Sequence, residues 1–435
     1  MPIWGGLEAR SGLELVIDRM AESYSDEIER MAVTIIRGNV PGDKGPEGTS
    51  SEDPQAIALD EQRIIAIGPT SAIPTPSPTS SQPPLNAPIT HLDCGEDWIS
   101  LGGCDLQING ALGLAFPDVT PEHLPELETI SRYLWQAGVD AYLPTLVTTS
   151  PEKFRTAIAT FETLMARQLP HAPTAQVLGL HLEGPCLNPQ KRGAHPREYL
   201  LPLTRDTLER VLGPSGVTVR LMTLAPELDP SGEAIAELQR RGIRVSLGHS
   251  LATAAQANQA FDQGATMVTH AFNAMPGLHH REPGLLGAAL LRSGISCGVI
   301  ADGEHICPMM LQLLLNAAPE HLFLVSDALA PLGLPDGVYP WDCREIQVKR
   351  GTARLTDGTL AGTTRSLLDG ALNLVNWGLC DIETAISLAT IAPRAAIGQS
   401  STLLGASAHQ LLRWRQVDGQ WQCQRLFPDL GHSST

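Results

Sequence analysis

Short apolar runs alternate with longer amphipathic segments from about residue 99 to residue 399, the pattern of β-strands separated by helices in a parallel sheet. Eight such runs end near Gln107, Pro144, Glu183, Leu224, His249, His270, Asp302 and Asp327, with helix-patterned stretches such as Glu122 to Gln136 and Pro151 to Arg167 between them. Eight parallel strands joined through helices most simply close into a (β/α)8 barrel of the α/β class. Before the barrel, Val33 to Arg37 reads as a strand by its β-branched content and Gln55 to Ile67 is strand-like. Stretches 41–54 and 69–88, rich in Pro, Ser, Thr and Gly, read as solvated loops, and Ser11 to Arg30 as an acidic helical extension. After Asp327 the pattern predicts a hairpin over Arg344 to Leu355, helices over Ser366 to Trp377 and Ile382 to Leu388, and strands over Gly405 to Phe427. The expected organisation is an extension over 1–30, a small β-sandwich domain built from 31–98 and 400–435, and a catalytic barrel over 99–399.

The ionisable residues fall at special places in this pattern. Glu183 closes Val-Leu-Gly-Leu-His-Leu-Glu, His249 closes Ile-Arg-Val-Ser-Leu-Gly-His, His270 closes Met-Val-Thr-His, and Asp327 closes Leu-Phe-Leu-Val-Ser-Asp. In a barrel the carboxyl ends of all strands share one face, so residues far apart in sequence can surround one point there. Two imidazoles and one carboxylate leave a coordination position open for water or substrate. A strand-end Asp beside them can accept a proton from that water and later donate one. Glu183 alone could equally be a loop cap, and a lone strand histidine is usually a core residue; recurrence of such groups at successive strand ends is what points to a metal.

Composition narrows the partners. The 435 residues are 43% hydrophobic and 18% charged, a globular balance, and 47 acidic against 30 basic residues give a formal charge of −17. That charge argues against nucleic acid, which is bound by clustered Lys and Arg, but not against one phosphate held by a local Arg. The eight cysteines form no CxxC pair, and Met1 to Glu8 show no secretory leader, so reduced thiols and a cytoplasmic location are expected. No apolar run approaches the roughly 18 residues of a membrane span.

The ordered motifs His181-Leu-Glu-Gly-Pro185, Gly248-His-Ser250, Val268-Thr-His-Ala-Phe-Asn-Ala-Met275 with His279-His-Arg-Glu-Pro-Gly284, Ser326-Asp-Ala328 and Gly358-Thr-Leu-Ala-Gly362 resemble the N-acetylglucosamine-6-phosphate deacetylases of the amidohydrolase superfamily. The resemblance runs from about Ile99 to Gly398. It implies hydrolysis of the acetamide of N-acetylglucosamine 6-phosphate, with Glu183, His249 and His270 holding one divalent ion, zinc or ferrous iron, and Asp327 as the acid and base. It further implies that His195 polarises the acetyl carbonyl and that Asn273, Ala274, Arg281 and His305 contact the sugar phosphate. Ala194 joins this substrate-binding set, and Leu360, Ala361 and Gly362 would line the sugar pocket. In the family some phosphate contacts cross a dimer interface, so a homodimer is implied, with Arg281 and His305 candidates to serve the neighbouring site.

Two positions depart from common patterns. Many superfamily members carry His-x-His at the end of the first strand to hold a second metal, where this chain has Gln107-Ile-Asn109. Neutral amides are poor transition-metal ligands, so a single ion is expected. Cys186 stands where the family usually has an aromatic, and an inert loop thiol is the preferred reading over a ligand. Other classes stay open on the residues alone. They are a different amidohydrolase amide hydrolase or deaminase, a non-haem iron oxygenase, which uses the same two-His-one-carboxylate set without needing Asp327, and a non-catalytic paralogue, which should have lost one of the four.

Overall fold

The computed structural model describes residues 33–41, 55–60, 63–69, 90–169, 172–213, 218–229 and 231–428. The extension expected over Ser11 to Arg30 and nearly all of the two Pro-rich stretches lie outside these residues. The chain divides into two compact units, residues 1–99 with 402–408, and residues 100–401 with 409–435.

In the first unit β1 (Val33–Asn39) pairs antiparallel with β2 (Gln55–Asp60), which forms a hairpin with β3 (Arg63–Pro69), and β4 (Thr90–Leu101) runs parallel to β1. Ile36, Ile57, Leu59 and Ile64 are buried, as β-branched and aliphatic residues on a half-covered sheet should be. Residues 405 and 406 bond to Ile64 through both backbone groups, so a late segment of the chain closes this unit.

In the second unit the parallel strands are β5 (Gly103–Ile108), β8 (Val139–Val147), β10 (Leu180–Glu183), β11 (Val219–Leu224), β12 (Arg244–Leu247), β13 (Met267–Val268), β14 (Ser296–Val299) and β15 (Leu322–Leu324), hydrogen-bonded in that order. A short hairpin, β6 (Gly110–Ala111) with β7 (Leu114–Ala115), follows the first of them, and β9 (Gln176–Val177) pairs with β8. Ile108 forms a parallel bridge to Ala328, and the amides of Asp327 and Asn109 donate to the carbonyls of Gln107 (2.8 Å) and Ala328 (2.7 Å). These bonds join the first strand to the chain just past the eighth, so all eight predicted strands form a nearly closed barrel. The intervening helices obey local rules: Ser150 accepts from the Lys153 amide to start the helix Pro151–Arg167, which has Pro at its first position.

The hairpin expected near 344–355 is part of a four-stranded sheet of β16 (Gly337–Trp341), β17 (Arg344–Lys349), β18 (Thr352–Leu355) and β19 (Leu360–Thr363). The expected union of N- and C-terminal segments takes the form of one six-stranded mixed sheet, ordered β21-β20-β4-β1-β2-β3, in which β20 (Leu411–Val417) and β21 (Gln420–Arg425) come from the end of the chain.

Candidate metal centre and its cavity

Glu183 is the last residue of β10, whereas His249, His270 and Asp327 lie two or three residues past the ends of β12, β13 and β15. Those extra residues turn the backbone into the left-handed region, with φ of 48° at His249, 29° at His270 and 48° at Asp327. Non-glycine residues adopt this conformation at a cost of order 1 to 3 kcal/mol each and keep it where the surroundings over-determine it. Gly248 is required beside the first of them: a Cβ there would lie 2.8 Å from Cβ of Thr269.

The three side chains converge. His249 Nε2 and His270 Nε2 stand 3.2 and 3.1 Å from Glu183 Oε1, and 3.0 Å from each other. Three donors placed about 2.0 to 2.1 Å from a tetrahedral ion would be roughly 3.3 Å apart, so this triangle has nearly the size a small divalent cation needs. The tautomer fits as well. Nδ1 of His249 donates to the Lys191 carbonyl at 2.8 Å, which leaves the lone pair on Nε2. Burial alone would raise the Glu183 carboxyl, but the imidazoles packed against it, His249 and His270, outweigh it and hold it well below the usual carboxylate range. The donor set therefore fits a divalent ion of the borderline kind.

A layer of hydroxyls supports the ligands from below. Nδ1 of His181 donates to the Leu106 carbonyl (3.0 Å), so its Nε2 accepts from Thr223 Oγ1 (2.7 Å), which in turn meets Thr269 Oγ1 (2.6 Å), and Ser246 Oγ donates onward at 2.6 Å. Burial lowers the His181 pKa to about 4, so this ring stays neutral. Glu227 holds the loop that follows His249, accepting from the Leu251 amide at 2.6 Å and Ser250 Oγ at 2.7 Å.

Asp327 is buried, and its Oδ1 accepts from Asn109 Nδ2 at 2.7 Å and Gln107 Nε2 at 3.2 Å. Gln107 Nε2 also lies 3.0 Å from Glu183 Oε1. Burial and the charge of Glu183 raise the Asp327 pKa to about 6, poised for proton transfer near neutral pH. His195 Nδ1 receives the Thr148 backbone N–H (3.3 Å), and an amide N–H can only donate, so we assign the ring proton to Nε2, 4.0 Å from Glu183 Oε2. Burial, then the neighbouring His249, lowers the His195 pKa to about 3, which keeps this ring a neutral hydrogen-bond donor.

Glu183, His249, His270, His195 and Asp327 lie on a cavity of about 970 Å³ that is also walled by Ala194, Asn273, Ala274, His305, Leu360 and Ala361. Asp302 takes Nδ1 of His305 at 2.7 Å. Gly362 is buried behind the wall, where a Cβ would lie 2.9 Å from the Asp327 carbonyl. Arg281 is elsewhere: it is exposed on the loop after Asn273, does not line the cavity, and its Nη1 meets only His280 Nε2 at 2.8 Å among the described residues. Cys186 is buried with Sγ 3.7 Å from the Pro202 carbonyl, its pKa pushed up to about 12 by burial, outside the group that could hold an ion. All eight cysteines are free.

Thr148, Glu227 and the wall supplied by Trp341, Cys343 and Ile346 are not anticipated by the sequence patterns. Asp302-x-x-His305 is a readable signal for its pair, whereas Thr148 and Glu227 carry none. Gln107 and Asn109 read in the sequence only as poor ligands, and their role as donors to the carboxylates emerges from the fold.

No family model matches the chain. Among curated proteins it is 38% identical to the N-acetylglucosamine-6-phosphate deacetylase of Homo sapiens over 314 residues, 70% of this chain and 76% of that protein. It is 36% identical to the N-acetylgalactosamine-6-phosphate deacetylase of Escherichia coli O157:H7 over 299 residues, 69% and 78% of the two chains. Among solved structures, N-acetylglucosamine-6-phosphate deacetylase from Pasteurella multocida superposes with a TM-score of 0.73 at 26% identity, covering 90% of this chain and all of that one. A variant of the Mycobacterium smegmatis enzyme in complex with N-acetyl-D-glucosamine-6-phosphate gives 0.72 at 26% identity, over 90% of this chain and 99% of that one.

Proposed function

This chain belongs to the family of N-acetylhexosamine-6-phosphate deacetylases, and on that premise we propose that it hydrolyses the acetamide of N-acetylglucosamine 6-phosphate to glucosamine 6-phosphate and acetate. The observation that carries the reading is the convergence of Glu183, His249 and His270 on one point, with Asp327 and the neutral His195 around it, in a cavity large enough for a phosphorylated sugar. One ion held there, zinc or ferrous iron by its donor set, would act as a Lewis acid on water and on the acetyl carbonyl.

The chain's own groups do the rest. Asp327 accepts the proton of the attacking water, and His195 presents its Nε2–H to the oxygen that gains negative charge. Asp327 then returns the proton to the nitrogen as the C–N bond breaks, so that acetate and the amine leave. Asn273, Ala274, Leu360 and Ala361 would hold the sugar, and His305, fixed by Asp302, would meet the phosphate.

Because Arg281 lies off this chain's cavity, we assign it to the phosphate of a neighbouring subunit in a homodimer. Its fork matches phosphate oxygens as Lys does not. The galacto epimer is the second reading, favoured by the likeness to an N-acetylgalactosamine-6-phosphate deacetylase. Among the described residues no helix is long and apolar enough to cross a membrane. A cytoplasmic location follows in this reading from the substrate, a charged sugar phosphate of central metabolism.

Acetate release from N-acetylglucosamine, N-acetylgalactosamine and N-acetylmannosamine, each with and without the 6-phosphate, tests reaction and substrate together, using enzyme loaded with zinc or ferrous iron. N-acetylglucosamine 6-phosphate should give the highest kcat/KM. Equal kcat/KM with and without the phosphate would remove the phosphate reading, and no acetate from any of the six would remove the deacetylase reading.

A further inference from the structure

We infer that Asn109 is a positioning residue for proton transfer, anchoring Oδ1 of Asp327 so that Oδ2 is the oxygen that carries the proton. The inference rests on Asp327 being the proton carrier proposed above. Three observations carry it. Both amide donors of the first strand end, Asn109 Nδ2 at 2.7 Å and Gln107 Nε2 at 3.2 Å, bond to Oδ1, and Oδ2 has no bond among the described residues. An oxygen that accepts two N–H bonds has most of its lone-pair capacity occupied and is the poorer proton acceptor of the two.

The second observation is that Asn109 is 4% exposed and its Oδ1 has no hydrogen-bond partner among the described residues. Leaving a buried acceptor unpaired is unfavourable, so the amide's orientation is dictated by Asp327 and not by satisfaction of its own two ends. Local rules are broken in this way mainly where function requires it. The third is the backbone: the Asn109 amide donates to the Ala328 carbonyl at 2.7 Å, and the Asp327 amide donates to the Gln107 carbonyl at 2.8 Å. Asn109 is thus built on the same barrel-closing bonds that place Asp327, and its side chain adds the rotational constraint that the backbone cannot supply.

The chemistry gives the constraint its purpose. One carboxylate must take a proton from water and deliver it to nitrogen, two positions on the same side of the substrate carbon. A freely rotating carboxylate would exchange its oxygens and lose the alignment that makes a proton transfer fast. With Oδ1 tied at two points, the same oxygen faces both partners.

The test is a double-mutant cycle on the metal-loaded enzyme. Asn109→Leu keeps the approximate shape of the side chain and removes the N–H donor; Asn109→Ala removes both. Each alone should lower kcat about 10- to 100-fold with KM within about twofold and metal content unchanged, the range expected for losing a hydrogen bond to a charged group. Added to Asp327→Asn, neither should lower kcat further, because the group they position is already disabled. Losses that multiply in the double variant, a fall confined to KM, or single variants with parental kcat would each overturn the inference. A variant that loses metal or melts early is replaced by Asn109→Gln, which retains the donor and should recover part of kcat; no recovery in a folded, metal-loaded Asn109→Gln also counts against it. If Asp327→Asn itself retains near-parental turnover, the assignment of Asp327 fails first, and the two failures are told apart.

Discussion

The two ends of the barrel each bury a cluster of charged side chains, and they resolve the cost of doing so in opposite ways. At the amino end, Asp140 near the start of β8 accepts from Arg425 Nη1 at 2.6 Å and from the Gly102 amide at 2.7 Å, with Arg394 Nη2 at 3.6 Å. Arg425 also donates to the Trp135 carbonyl at 2.8 Å and lies 4.9 Å from the centre of that indole. The negative charge there is met by fixed positive charges from β21 and from the helix Ile382–Ala396. At the carboxyl end, Glu183 and Asp327 are buried with three histidines and two amides, and no Arg or Lys offsets them among the described groups in hydrogen-bond reach. One end carries its countercharges within the protein, whereas the other is arranged to receive a cation. A barrel can thus devote one face to holding itself together and leave the other for chemistry.

The sharpest way to break this contrast is at the carboxyl end. Asp327→Asn should reduce turnover on the order of 10² to 10⁴ fold while metal content stays at one ion per chain. Acetate release and metal analysis of the same sample would decide it, and near-normal turnover would refute the role. At the amino end the expectation is reversed. Arg425→Met should cost up to roughly 3 to 5 kcal/mol of stability, because the buried Asp140 loses its closer cation and keeps only Arg394 and the Gly102 amide, while kcat of the folded enzyme stays within about twofold. Denaturant unfolding and kinetics would separate the two, and a large fall in kcat at unchanged stability would contradict the division of labour.

Asp105, between the two ends, sharpens the comparison through pH. Burial raises its pKa to about 7, above the unfolded value of 3.8. The folded state therefore binds more protons than the unfolded state between about pH 4 and pH 7, and this residue's contribution to stability declines as pH rises through that window. Asp105→Asn should remove a decline of up to a few kcal/mol, seen as a smaller difference in melting temperature between about pH 4 and pH 8. Parallel pH profiles for parent and variant would exclude Asp105 as the source. The smallest effect is on catalysis: with Asp327 raised to about 6 by burial and Glu183, and a bound cation favouring its carboxylate, the acid limb of kcat/KM should lie at or below about pH 6. Below it the rate should fall about tenfold per pH unit as the base is protonated. A limb that persists unchanged in the residual activity of Asp327→Asn would assign it to another group.

Much of this architecture is legible in the amino-acid sequence. All eight barrel strands are predicted near their observed ends, because a parallel strand buried on both faces writes a continuous apolar run into the chain. The residues of the centre are readable for a related reason: each follows such a run directly, and a barrel gathers strand ends on one face. The misses have equally physical causes. The hairpin β6–β7 and the strands β16 and β19, which flank the predicted hairpin of β17 and β18, are only two to five residues long, too short to stand out in the sequence. Arg281 is a separate case: it lies on an exposed loop off its own cavity, and the resemblance already made it a candidate to serve a neighbouring site.

The sequence by itself determined the barrel, its strand order along the chain, and the place of Glu183, His249, His270 and Asp327 at strand ends, since these depend on local periodicity and on where polar residues interrupt it. Only the tertiary structure decided the partnerships. Asn109 meets Asp327 across 218 positions and Arg425 meets Asp140 across 285. Such pairs follow from strand register and barrel closure, and an amide's sequence neighbours do not say which distant carboxylate it will hold.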